Sequence, residues 1–270
     1  QAARMFTQHA GNISFHATEG EPATIPCSTN DDPEFLDDLI RVRDEMIQEL
    51  QEQNPALTAK DFILSLDELL RRMFAFACNA QSASLGQNDT FTFRFLRESH
   101  IIPQSRPDTS PINATEGPSL FPLPLHTLRG LLDSSLYHPN LSYSNPTLHE
   151  LMQDAFRYID SAKQESLWQS HTADFFSRHP ETMRLYTGYL TYYLHQYFLR
   201  IYETYSYRRQ VALGIIHMNL LLLLDVTYEK RHGSLSSEEF SQILAVYNRR
   251  AYFSDKIQDT LYRIFEDAIV

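Results

Sequence analysis

With 270 residues, 43% of them hydrophobic and 12% aromatic, the chain can bury a sizeable core and is too apolar to be disordered. A net charge of −11 argues against a broad phosphate-binding surface, so no nucleic-acid partner is expected. Two cysteines, Cys27 and Cys78, are too few for a disulfide scaffold or a cysteine-built metal site, and reduced thiols in a cytoplasmic protein are the expectation.

Residues 1–30 show no sustained periodicity and no charged-then-apolar leader; they read as an arm or loop. Asp31, Asp32 and Pro33 then supply a helix start, with carboxylates and a proline in the first turn. Phe35, Leu36, Leu39, Ile40, Met46, Ile47 and Leu50 form one apolar stripe, which predicts a helix over about 33–53. Asn54–Pro55 breaks it, and Thr58 with Asp61 resembles a capping box opening a second helix to about Cys78. The pair is expected as a helical hairpin over 31–80. Thr90–Leu96 alternates, with Phe91, Phe93 and Phe95 on one side, and predicts one short β element that needs a partner from its own loop or another chain. Prolines from Pro103 to Pro124 mark 81–125 as a connector, either mobile or extended along the surface.

The remainder, 126–270, is expected as a helical bundle, which makes the fold class all-α. Asn145–Pro146 opens a helix carrying Leu148, Leu151, Met152, Phe156 and Ile159. Trp168, Phe175 and Phe176 belong to a shorter helix closed by Pro180. Eight of the fifteen tyrosines crowd a predicted helix over 185–207, and the apolar run Val211–Leu224 follows. That run is shorter than the roughly 20 apolar residues of a bilayer span and is interrupted by Gly214, His217 and Asn219; it reads as a core helix, and no membrane span is expected. Ser236 with Glu239, and then Ser254, open the last two helices.

Few residues point to chemistry by spacing alone. His149–Glu150 begins like a zinc-protease signature, but Gln153 stands where the second histidine ligand belongs. Glu229 and His232 have the spacing of a di-iron bundle, yet only one such pair exists where two are needed. No metal site is expected. His195 and His217 lie on consecutive helices and could face each other, although histidines satisfied singly in the core or at its boundary, by backbone or tyrosine, are the commoner outcome. Tyr186, Leu190, Tyr193, Leu194, Tyr197 and Ile201 form a stripe that reads as core, or as rings able to hold a methylated ammonium or a sulfonium. Tyr189, Tyr192 and Tyr205 leave the stripe and are the tyrosines a surface or groove would use.

Three segments carry a family resemblance. Leu39–Gln51 (LIRVRDEMIQELQ), followed by Leu64–Leu70, is similar to an "RD-apolar-apolar-x-x-LQ" helix and its partner; Tyr189–Arg200 (YLTYYLHQYFLR) is similar to an "NYL-x-Y-x-F" helix; Val246–Arg250 (VYNRR) is similar to a "YSRxxEH" segment. In this order they resemble the C-terminal part of flagellin lysine-N-methylases. The resemblance implies methyl transfer from S-adenosylmethionine to lysine amines of a protein substrate, flagellin. It also implies Tyr193 and Tyr197 lining the site, His195 handling the proton, and Tyr189, Tyr192 and Arg249 meeting substrate. Two departures stand out. The family's cysteine-rich region, associated with a metal or iron–sulfur cluster, has no counterpart in Cys27 and Cys78, because a four-thiolate site needs four sulfurs. Phe253 stands where the last motif has histidine. A fragment or an inactive relative of the family fits these departures; the alternative is a non-catalytic helical module that binds a protein partner through the tyrosine face or the strand near Phe91–Phe95. Oligomeric state has no signature here.

Overall fold

The computed structural model describes residues 33–52, 58–85, 96–97, 118–135, 146–162, 164–251 and 255–269. Among them the regular structure is entirely helical, so the all-α expectation holds. The nine principal helices are α1 (Pro33–Gln51), α2 (Ala59–Leu85), α3 (Leu125–Ser135), α4 (Pro146–Ala162), α5 (Glu165–Arg178), α6 (Thr182–Tyr197), α7 (Tyr207–His232), α8 (Ser237–Ala251) and α9 (Asp255–Ile269). The expected arm at 1–30 and the expected strand residues 90–95 lie outside the described residues, and Leu96–Arg97 are helical.

Local chemistry sets the helix ends. Thr58 Oγ1 accepts the Asp61 backbone N–H at 3.2 Å and donates to its carboxylate at 2.6 Å, which starts α2. The reciprocal box at α8 is complete: Ser236 N–H donates to Glu239 Oε2 at 2.7 Å, and Glu239 N–H donates to Ser236 Oγ at 3.2 Å. Gly233, at φ 81°, ends α7 in the left-handed region, where a glycine carries no Cβ penalty. The predicted tyrosine helix does not run unbroken to Tyr207. It tightens at Phe198–Arg200, makes one more turn at Ile201–Thr204, and stops at Tyr205, whose φ is 51°. Packing offsets that unfavourable backbone: Tyr205 and Tyr202 both stack on Phe35 of α1 at 5.5 Å.

Helix α7 is the centre. Every residue from Gln210 to Thr227 is buried, and α2, α4, α6, α8 and α9 all pack on it. It has the length and mean hydropathy (1.7) of a membrane span, and 94% of that window is buried inside the fold. Helix α1 packs chiefly on α6 and α2 chiefly on α7, so these two consecutive helices address different partners; Arg72 of α2 reaches Glu49 of α1 at 3.0 Å. Helix α3 lies against α9 and α4. Buried side chains of all nine helices belong to one hydrophobic cluster.

The end of the proline-rich connector corrects an expectation. Leu120, Phe121 and Leu123 are buried in the core, not laid on the surface. Buried backbone needs hydrogen-bond partners, and long-range side chains supply them. Asp67 Oδ1 accepts the N–H of Leu120 at 2.6 Å and of Phe121 at 2.9 Å. Asn219 accepts from Leu123 N–H at 2.8 Å and donates to Leu120 C=O at 2.9 Å. Trp168 Nε1 donates to Leu123 C=O at 3.0 Å. Asn219, read in sequence as an interruption of an apolar run, is therefore the clamp between α7 and this segment.

Candidate functional site

The half-buried and buried tyrosines of α6 meet α7 and α8 in one cluster. Tyr189, Tyr193 and Tyr197 recur every four residues and so share a face of α6. Gly214 of α7 lets this face approach closely: a Cβ there would lie 2.9 Å from Tyr193 Cδ1 and 3.0 Å from Leu190 Cδ1. One turn along α7, His217 places its ring 6.2 Å from that of Tyr193, and its Nδ1 is 2.7 Å from Tyr247 Oη on α8. The next residue of α8, Asn248, accepts a long hydrogen bond of 3.4 Å from Tyr189 Oη. Tyr197 continues the cluster outward, 5.0 Å from the Tyr193 ring, with the Arg200 guanidinium 5.1 Å above its own ring.

Tyr193, Tyr247 and His217 are all neutral at physiological pH. Burial pushes the Tyr193 phenol well above its ordinary range, with the Tyr189 oxygen adding to the shift; burial does the same to Tyr247. Burial pushes His217 down to about 3. Tyr197 is raised by burial and by Tyr192, against a smaller opposing pull from Arg200. The cluster therefore offers ring faces, phenol hydroxyls and a neutral imidazole. It is suited to a neutral amine or a dispersed cation, and it holds no strong base.

The structure brings Tyr189, Tyr193 and Tyr197 together and sets Tyr192, half-buried, at their edge. Tyr189 is 1% exposed, which corrects its assignment to a surface or groove. His195 goes elsewhere. It follows Tyr193 by two residues, about 200° round the helix, and is half-buried near Arg43 and Asp44 of α1. Burial and Arg43 both lower its pKa. His217 is a core histidine that meets Tyr193 and Tyr247, so the two histidines occupy separate environments and do not face each other. Arg249 is exposed on α8. Tyr205 serves the α1 contact. Sequence reading passed over Gly214, Tyr247 and Asn248 as site residues. The glycine inside an apolar helical run was the available signal for a close approach.

S-adenosylmethionine, implied by the resemblance, fits this cluster only in part. Ring faces suit a sulfonium, but the Tyr193 ring fills the space over Gly214, and the cluster residues named above include no carboxylate for ribose hydroxyls. Among the described residues, no three His, Cys, Asp or Glu side chains are grouped to hold a metal ion. Glu229 and His232, the di-iron-like pair, are separately engaged: Glu229 by Arg178 and His179, and His232 by stacking on Tyr228 at 4.2 Å. In comparisons with protein-family models, curated proteins and solved structures, nothing matches the chain.

Proposed function

We propose that the chain is a protein-lysine methyl-transfer protein of the flagellin lysine-N-methylase type, in which the tyrosine–histidine cluster receives the lysine side chain. One observation supports this reading: the first and third of the segments that carry the resemblance both lie against α6, which carries the second, on different faces of it. Arg43 and Asp44 of the first lie near His195, while Asn248 of the third accepts from Tyr189 of the second and Tyr247 lies near the same tyrosine.

A lysine amine attacks a methyl group only when it is neutral. Desolvation against the half-buried rings of Tyr197 and Tyr192 would favour that form, because burial disfavours the ammonium. His217 accepts protons poorly under these conditions, and His195 faces α1, so desolvation rather than a resident base supplies the neutral amine. The methyl donor implied by the resemblance is S-adenosylmethionine; the cluster accounts for the amine side alone.

A non-catalytic helical interaction module is the second reading, and the closed packing of Tyr193 over Gly214 favours it. Incubation of the chain with flagellin and S-adenosylmethionine, followed by mass spectrometry of flagellin lysines, separates the two. Methylation that drops about tenfold or more in Tyr193→Ala is the expected result, since that change opens the dry site to water. No methylated lysine, together with no S-adenosylmethionine binding by calorimetry, would leave the module reading standing.

A further inference from the structure

We infer that Asp225 is held in the folded protein as a neutral carboxylic acid, and that with Tyr186 it forms a proton-dependent latch between α6 and α7. Asp225 is 0% exposed and lies between Leu224 and Val226, in the most apolar part of α7. Its Oδ2 accepts a 2.5 Å hydrogen bond from Tyr186 Oη. Tyr186 is also 0% exposed, and its ring packs on Phe121, Phe176 and Phe240 at 5.4–6.3 Å. Asp225 Oδ1 is enclosed and receives no hydrogen bond, and no cation among the described residues pairs with the carboxyl.

An ionised carboxylate in that place would have one neutral donor to offset the loss of its hydration, a poor exchange for a buried charge. As an acid the same group is satisfied differently. Oδ2 accepts from Tyr186, and a protonated Oδ1 becomes a donor, for which helix carbonyls one turn back are the ordinary acceptors of short polar side chains.

Five carboxylates of α7 and the helices packed on it are engaged by other partners. On α7 itself, Glu229 is bound by Arg178 and His179 from the end of α5. Asp154 of α4 pairs with Arg231, Glu239 of α8 accepts from Tyr228, Asp67 of α2 pairs with Arg71, and Glu266 of α9 pairs with Arg208. None exerts a resolved effect on Asp225, whose carboxyl is pushed far above the carboxylate range by burial.

A folded-state pKa above the unfolded one gives a stability contribution that is full below the unfolded carboxyl's value and declines as pH rises toward the folded value. The decline is about tenfold in the folding constant per pH unit for one proton. Asparagine is close in shape to the neutral acid and cannot ionise, so Asp225→Asn should remove the decline. The inference does not depend on methyl transfer.

Infrared spectroscopy of the full chain at neutral pH tests the protonation state. The carbonyl stretch of a buried protonated carboxyl should be present in the wild type and missing in Asp225→Asn. Denaturant unfolding at about pH 6 and about pH 8 tests the latch: Asp225→Asn should be about tenfold or more favoured over wild type at the higher pH and should show one proton less of pH dependence. Absence of the band, or a variant less stable than wild type at the higher pH, overturns the inference. If Asp225→Asn does not fold, Tyr186→Phe carries the test: the band must persist and shift when the Oη hydrogen bond is removed, and a wild type without the band again overturns the inference.

Discussion

Asp225 and Glu229 stand one helical turn apart on α7, both buried, and their surroundings push their carboxyls in opposite directions. Among the described residues the Asp225 carboxyl receives a hydrogen bond from the Tyr186 phenol and no cation pairs with it, and burial drives the carboxyl up. Around Glu229, burial also pushes up, but hydrogen bonds from Arg178 (2.9 and 2.7 Å) and His179 (2.7 Å) outweigh it and hold the carboxyl below its ordinary range. Loss of solvent is thus common to both, and access to a cation makes the difference. Glu229 lies at the end of α7, where the α5–α6 turn can deliver a guanidinium whose far side stays in water. Asp225 faces the inner stripes of its neighbours, where a charge would have to be buried whole. His217 and Asn219 belong to the same inner class as Asp225: polar, fully buried and neutral.

The contrast can be broken at several points. Asn219→Leu should have the largest effect, about 3–4 kcal/mol, because the Leu123 N–H and Leu120 C=O would both lose their buried partner; denaturant unfolding measures it. Glu229→Gln should cost about 2 kcal/mol at neutral pH by weakening charge-assisted hydrogen bonds to Arg178 and His179. Because the folded carboxyl of Glu229 is depressed, its contribution is present above the unfolded glutamate value near 4.5 and is lost as pH falls through the folded one, so the variant should also lack that acid loss. Tyr247→Phe should be the mildest of these, about 1 kcal/mol, from the lost hydrogen bond to His217 Nδ1.

Acid titration sharpens the comparison further. His217, depressed to about 3 from 6.5, contributes stability above 6.5 that is lost as pH falls toward the lower value. Asp225 acts in the opposite sense from 3.8 upward. Between about 4 and 6.5 the two should nearly cancel, and Asp225→Asn should expose the His217 limb as a decline in stability below 6.5, read by unfolding across that range.

Much of the fold was legible in the residues. The stripe from Phe35 to Leu50, the boxes at Thr58–Asp61 and Ser236–Glu239, and the start at Pro146 all became helices that begin within a few residues of their expected starts, because periodicity and capping act within one or two turns, whereas the second helix runs on to Leu85, past its expected end near Cys78. The break at Tyr205 was not legible, since a left-handed tyrosine is held there by a ring from α1. The site was half legible. The i, i+4 spacing of Tyr189, Tyr193 and Tyr197 is local, but whether Tyr189 faces solvent depends on α8, and whether His195 or His217 joins the cluster depends on where α1 and α7 dock.

The sequence by itself therefore determined an all-α chain, the placing of its helices and the tyrosine-rich character of α6, each a consequence of interactions a few residues long. Tertiary structure alone decided that Asn219 clamps the buried Leu120–Leu123 backbone, that Tyr189 is interior, and that Asp225 and Glu229 part company. Ionisation and burial are set by groups that arrive from 39 to 99 residues away in the chain, and no local pattern encodes their arrival.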